Sequence, residues 1–314
     1  MVKNSARSVV AVEFSPSFLK LVEFLPLENQ IATVLLQPLE ISQWGNDEYL
    51  AEQIRSLLQK NIRSEDIDLV CSVSAEHTAL RNFEIPLAED NVLDAIQWDM
   101  EQYLARPLDE YLMDYQLMGS NQQENGRTVL TAAYRRSEVE RLQRLLESTG
   151  YPLAVLDVDT FATINAFEAN YPEMLASRTF IIKADAHGII CIRTQNGSFF
   201  GNDVFKVNSG ILDLNGQAKT DRLLDLVHEI RQRMDETRNE WGELDQVILC
   251  GDLAQDEEFR DLIEANSPMP MATLNAFREM VFAEGFNESA DGITSSAPQF
   301  ACVLGLALRR RGDS

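Results

Sequence analysis

Ser8 to Phe24 reads SVVAVEFSPSFLKLVEF. Two apolar runs, Val9–Val12 and Leu19–Phe24, flank a short turn, Phe14–Phe18, and this pattern predicts a β-hairpin. In one large class of ATP-binding folds an opening hairpin carries the first phosphate loop. Such a loop needs a carboxylate for the metal. It also needs glycine and small hydroxyl residues, so that backbone N–H groups can approach the phosphates. Here the carboxylate is Glu13, and the loop is Ser15, Pro16, Ser17 and Phe18. Pro16 has no N–H to offer and Phe18 is bulky. The hairpin is kept; its chemistry is damaged.

With 314 residues the chain is long enough for two domains, and 45% hydrophobic with 25% charged residues is ordinary globular composition. Its net charge of −23 repels nucleic acid and anionic lipid surfaces, so neither is expected as a direct partner. The basic run Arg309-Arg310-Arg311 reads as positive charge at a helix C-terminus. The start MVKNSAR is polar, and no apolar run approaches the roughly 20 residues a membrane span needs, so neither signal peptide nor direct membrane insertion is expected. Cys71, Cys191, Cys250 and Cys302 stand singly in apolar runs, as reduced core thiols do. His77, His187 and His228 are equally dispersed, and no metal-ligand or catalytic-triad spacing is present.

Strands and helices alternate along the rest. Ile31–Leu36 follows the hairpin as a third strand, and Asn46 caps a helix over Asp47–Lys60 with Leu50, Ile54, Leu57 and Leu58 on one face. Ile67–Val73 is a buried strand. A second unit begins near Arg81 and includes a helix over Asp90–Ala105, striped by Leu93, Ile96, Met100, Tyr103 and Leu104. Thr128–Ala133 is a strand, Ser137 to Glu140 a capping box, and Gly150 the end of the helix it starts. Leu153–Val158 and Phe161–Asn170 return to strand and helix. A third block has strands at Thr179–Lys183, Ile189–Thr194 and Ser198–Val207. A helix follows over Asp221–Glu236, with Leu223, Leu224, Val227, Ile230 and Met234 on one face, and then a strand at Gln246–Cys250. Ser296 and Pro298 open a last helix to Leu308, in which Ala301, Gly305 and Ala307 permit close packing; Asn287–Ala297 is expected to be a mobile loop. Two blocks of strands, helix, strand and closing helix suggest a duplicated α/β fold.

The chain resembles the PilM family of type IV pilus assembly, related to the division protein FtsA. The resemblance rests on VEFSPSFLKLVEF, on FEIP with VLDAIQWDMEQYLARP and MDYQLMG, and on VLTAAYRRSEVERLQRLLESTGYPLAVLDVDTFATINAFE. It extends through LLDLVHEIRQRMDE, VILCGDLAQDEEF, TLNAFREM and SSAPQFACVLGLALR, covering nearly the whole chain in order and spacing. It implies an actin-like (ribonuclease H-like, ASKHA) two-lobe fold. The domains would be lobe 1A at 1–80, inserted subdomain 1C at 81–152, the 1A return at 153–177, lobe 2A at 178–295 and a final helix at 296–314. Subdomain 2B would be reduced to a remnant at about 210–240, because only ILDLNGQAKT separates Gly210 from Asp221.

Mg-ATP is the cofactor the resemblance implies, placed at Glu13, Ser15, Ser17, Lys20, Asp185, Gly188 and Gly251. The chain departs from the family at each loop. Glu13-Phe14-Ser15-Pro16-Ser17 replaces Asp-x-Gly-Ser-Ser, KADAHGII replaces the second phosphate turn, and the glycines of the adenosine loop become Gly251-Asp252-Leu253. These losses imply a pseudo-ATPase with no catalytic residues and no cofactor. The alternative is a working actin-like ATPase whose Mg-ATP state gates partner binding.

The implied partner is a PilN-like bitopic membrane protein, whose cytoplasmic tail lies in a groove between 1A and 1C. Other pilus platform proteins, or a second copy, are further partners the resemblance allows. Trp98, Tyr103, Arg106, Pro107, Tyr111, Tyr134 and Arg135, with Arg81, are the groove candidates. The expected role is a cytoplasmic scaffold, peripheral to the inner membrane through its partner, in a type IV or MSHA-type pilus or the equivalent type II secretion platform.

Overall fold

The computed structural model describes residues 7–62, 64, 66–86, 91–121, 126–207, 211, 214–286, 293 and 295–309. The opening sequence forms a meander of β1 (Ser8–Phe14), β2 (Phe18–Leu25) and β3 (Gln30–Pro38), followed by α1 (Asp47–Asn61) and β4 (Ile67–Val73). Asn46 caps α1 by accepting the Tyr49 N–H at 3.2 Å, and Leu50, Ile54, Leu57 and Leu58 belong to the buried face of that helix. An inserted unit follows, with β5 (Thr78–Pro86), α2 (Val92–Tyr103), β6 (Tyr111–Asn121) and β7 (Gly126–Arg135). The chain returns through α3 (Arg136–Glu147), β8 (Leu153–Val158) and α4 (Asp159–Asn170).

The second half repeats this plan. It runs β9 (Thr179–Asp185), β10 (Gly188–Gln195), β11 (Ser198–Lys206), α5 (Gln217–Trp241), β12 (Gln246–Cys250), α6 (Glu257–Asn266) and β13 (Met271–Thr273). The short β14 (Val281–Phe282) and the terminal helix α7 (Ala301–Leu308) close the described chain. The two large sheets have the same internal order. Lobe one is β14-β3-β2-β1-β4-β8 and lobe two is β11-β10-β9-β12-β13. In each, antiparallel hairpin strands give way to parallel pairings across the sheet. β14 lies parallel to β3, so the chain of lobe two finishes on the edge of lobe one.

Alternating side chains divide each sheet between two cores. On lobe one, Val10, Val12, Leu19 and Leu21 face α1 and α3; on lobe two, Phe180, Ile182, Val247 and Leu249 face α5 and α6. The opposite faces meet in one shared core. It joins Ala11, Val22 and Val70 of lobe one, Ile181, Ile190 and Ile248 of lobe two, and Leu80 and Ala132 of the inserted unit, around α4 and α7. That is why α7 is buried at every position from Ala301 to Ala307. A Cβ on Gly305 would lie 1.6 Å from the Ala162 carbonyl oxygen, so glycine is required where α7 crosses α4. All four cysteines are buried and free.

Several expectations shift. Leu93 and Tyr103 are exposed, because α2 needs only Ile96 and Met100 to cover its small sheet. Leu224 is exposed and Leu226 takes its place, following the helical period from Leu223 through Val227 and Ile230. Ser137 is not a cap: β7 runs directly into α3, Arg135 is the N-cap, and no side chain caps that end. α3 itself packs Leu145 and Leu146 into the core of lobe one. α6 and β6 are elements that the sequence pattern does not separate out. Most of the Asn287–Ala297 loop, with Arg310 and Arg311, lies outside the described residues. Arg309 pairs with Asp157 at 2.6 Å, beyond the end of α7.

The helix crossing gives a direct test. Gly305→Ala should lower the urea midpoint by the equivalent of about 3 kcal/mol, the range for overpacking a tight core. Gly150→Ala meets no atom within 4 Å and has only its φ of +89° against it, so it should cost about 1 kcal/mol.

Candidate functional site

The register of the opening hairpin sets Glu13 directly opposite Lys20. On β9, Lys183 and Asp185 are two residues apart and share one face of the strand. Gly251 ends β12 at φ +95°, and a Cβ there would lie 2.5 Å from the Ala184 carbonyl oxygen. This turn brings Asp252 to the same point. Five ionic side chains from the two lobes thus converge in the interior.

The pairing crosses between lobes. Lys183 Nζ of lobe two lies 3.2 Å from Glu13 Oε1 of lobe one, and it also pairs with Asp185 beside it. Lys20 Nζ of lobe one lies 2.9 Å from Asp252 Oδ1 of lobe two and 3.7 Å from Glu13 Oε2. The Asp252 N–H donates to Asp185 Oδ1 at 3.0 Å, and Gln299 Nε2 donates to Asp252 Oδ1 at 3.3 Å. The two turns also touch, with Ser17 Oγ 3.0 Å from His187 Nε2. Lys20 is 2% and Lys183 5% exposed, so both ammonium groups lie in the protein interior.

Burial opposes the charge on Lys20, but the Asp252 and Glu13 carboxylates overcome it and hold the ammonium above the usual lysine value. Lys183 is held up against burial in the same way by Asp185 and Glu13. Asp185 is also buried, yet the charges of Lys183 and Lys20 bring it down to about 2. Burial raises Asp252 against the pull of Lys20. Asp159, at the start of α4, is raised to about 6 by burial, although Lys183 and the Ala75 N–H, 3.0 Å away, favour its charged form.

These residues do not fit a metal–phosphate group. An anion needs unpaired N–H donors. In the first turn the Ser15 N–H donates to Phe18 O at 2.8 Å, the Phe18 N–H donates to Ser15 Oγ at 3.2 Å, and Pro16 has none. At the third loop the Gly251 N–H donates to Pro298 O at 2.9 Å and the Asp252 N–H is held by Asp185. Lys20, which would meet phosphate, faces Asp252. The carboxylates that would face a metal already share Lys183.

A cleft of about 750 Å³ opens beside this cluster. Glu13, Asp159 and Asp185 line it, with Phe14, Ile41 and Trp44 of lobe one, Leu142 of α3, Ser74, Glu76 and His77 at the root of the inserted unit, and His187, Ile190 and Lys206 of lobe two. Ile41 and Trp44 are both more than 40% exposed, an apolar pair at the surface.

Of the expected nucleotide residues, Glu13, Ser15, Asp185 and Gly188 line the cleft, whereas Ser17, Lys20 and Gly251 lie around it. Gly188 is the β10 partner of Asp185 across the turn. Lys183 escaped the sequence reading, although KAD sets a cation two residues before Asp185. None of the expected partner residues lines the cleft. Trp98 is 67% exposed on the outer side of α2. Tyr103 stacks under Arg81, 4.8 Å from its ring centre, while Arg81 pairs with Asp99 at 2.6 Å. Arg106 pairs with exposed Glu110 at 3.0 Å, and Pro107 caps the turn between them. Tyr111 is 8% exposed inside the core of the inserted unit, and half-buried Tyr134 packs against the shared core, where burial lifts its hydroxyl to about 12. Arg135 is the N-cap of α3.

Among solved structures, the PilM–PilN type IV pilus biogenesis complex contains a chain 19% identical to this one. The match covers 96% of this chain and 98% of that one, with a TM-score of 0.81. A protein of actin-like ATPase fold and unknown function from Bacteroides thetaiotaomicron is 13% identical, covering 88% and 94%, with a TM-score of 0.51. The cytoplasmic domain of EpsL, an inner membrane component of the type II secretion system of Vibrio cholerae, is 11% identical, covering 92% and 94%, with a TM-score of 0.50. These likenesses give the fold, a duplicated actin-like α/β architecture. The family model described as type IV pilus assembly protein PilM matches residues 5–183, more than half of the sequence, and the chain belongs to that family.

Proposed function

We propose that this protein is a binding scaffold of the type IV pilus inner-membrane platform. It captures the cytoplasmic tail of a PilN-like membrane protein and does not turn over nucleotide. The observation that carries this reading is the ionic cluster: the groups that would take Mg-ATP are already paired with one another, while the cleft they line is open and carries the exposed apolar pair Ile41 and Trp44. The full-length likeness to a chain in a PilM–PilN complex supports the choice of partner.

The tail enters the cleft, which lobe one, lobe two and the root of the inserted unit line together. Phe14, Ile41, Trp44 and Leu142 receive its apolar side chains, while Glu76 and Glu138 in the same lining are paired with Lys206 and Arg141. Charge favours the encounter. Segments on the cytoplasmic side of a membrane span are enriched in lysine and arginine, whereas this chain carries −23. The same field keeps the protein from lying on anionic lipid unaided. Among the described residues no helix is long and apolar enough to cross a membrane. Membrane location therefore comes through the partner.

Two measurements test this. Calorimetry with Mg-ATP should give no binding heat, and steady-state assays no phosphate release above the buffer rate. Low-micromolar binding would sink the scaffold-only reading. A labelled tail peptide from the neighbouring bitopic protein should bind wild type, and Trp44→Ala should weaken it about tenfold, as loss of an aromatic anchor does. Trp98→Ala, outside the cleft, should leave it unchanged. The reverse pattern would place the tail on the outer face of α2 instead.

A further inference from the structure

The shared core leaves the two lobes little freedom, yet their polar contact runs through side chains that single substitutions can remove. Lys183 stands between Glu13 of lobe one, at 3.2 Å, and Asp185 of its own strand. Two carboxylates converging on one point are the setting in which hard divalent cations are held by oxygen ligands. Here an ammonium on a tether supplies the positive charge. Lys20 mirrors it from the other lobe: it reaches 2.9 Å to Asp252, whose carboxylate supplies negative charge opposite a lysine. Each lobe therefore sends one lysine to a carboxylate of the other.

We propose that Lys183 is a built-in counter-ion standing in the place of a divalent cation, and that Lys183–Glu13 and Lys20–Asp252 form a crossed lock that holds the lobes together without a ligand. This rests on the reading of a nucleotide-free site and is independent of where the tail binds. Two observations support it beyond the pairing. Glu13 Oε2, in a residue more than nine-tenths buried, accepts no hydrogen bond among the described residues and meets Lys20 Nζ only at 3.7 Å, longer than a hydrogen bond. The Ser17–His187 contact lies across the same seam, so the turns meet directly.

The deciding experiment uses the full chain, with Mn²⁺ as the probe and amide exchange as the reporter. Wild type should take up no stoichiometric Mn²⁺, and its melting temperature should not respond to the ion. Lys183→Ala, which vacates the position, should bind one Mn²⁺ with sub-millimolar affinity by paramagnetic resonance and recover melting temperature on binding. Lys183→Met should exchange about tenfold faster at Ser15–Ser17 and at 251–253, with α5 unchanged as an internal reference. Stoichiometric Mn²⁺ on wild type, no Mn²⁺ on Lys183→Ala, or unchanged exchange in Lys183→Met would each overturn the proposal. Should Lys183→Met not fold, Asp252→Asn gives the same exchange reading from the other arm, and unchanged exchange there refutes it. Tail-peptide affinity, measured alongside, reports separately on the scaffold reading.

Discussion

Buried ion pairs that cross a seam differ in kind from surface salt bridges. Removing Lys20 and Lys183 from water is expensive, and their attraction to Asp252 and Glu13 roughly offsets that expense rather than exceeding it. Their weight lies in the asymmetry. Deleting Lys20 leaves the buried Asp252 carboxylate without its cation, a loss of about 3–5 kcal/mol, whereas Glu13 and Lys183 each keep a second partner, Lys20 and Asp185. Charge pairing at 2.9 Å and 3.2 Å adds a directional contact to the apolar packing between the lobes. The lobe geometry, and with it the shape of the neighbouring cleft, depends on these contacts.

The core reinforces that constraint. Residues of both sheets and of the inserted unit enter one hydrophobic cluster around α4 and α7, and Gly305 lets those helices touch backbone to backbone. Interfaces of this kind, large and apolar, are not the ones across which domains move readily. Duplication explains how the cluster arose in a single chain. The same strand order appears twice, α1 and α3 cover one outer face as α5 and α6 cover the other, and the inner helices are held between. The connection from β11 to α5, residues 207–216, is too short for a further subdomain of several helices.

Much of this was legible from residues whose message is local. Asn46, the 3.6-residue stripe of α1, the β-branched runs of β1 and β9 and the small Gly305 each state their role within a few positions. The site was only half legible. Pro16 and Phe18 announce a turn that cannot cradle phosphate, because an imino nitrogen is defective wherever the chain goes. Lys183 gives no such message. Its charge reads as surface until β9 is known to be buried on both faces, and its partner Glu13 is 170 positions away in sequence. The inserted unit misled for a related reason. Aromatic content marks Tyr111 and Tyr134 as contact residues but does not reveal which face of a strand points inward. β6, which settles Tyr111, leaves no separate signature in the sequence pattern.

A tethered counter-ion has a consequence that a diffusing one lacks. Mg²⁺ and nucleotide bind by mass action, so closure that depends on them follows their concentration. An ammonium on β9 is present at a fixed, high effective concentration and cannot wash out. In a chain of charge −23 this matters, since its field draws cations toward any cluster of carboxylates. Lys183 and Lys20 offset two of the three carboxylate charges of that cluster from within. The acid side of the cluster is equally protected: Asp185, held at about 2 by two lysines, stays ionised at any pH a cell maintains. Asp159, which also lines the cleft, is raised by burial to about 6 and so responds to pH where Asp185 does not.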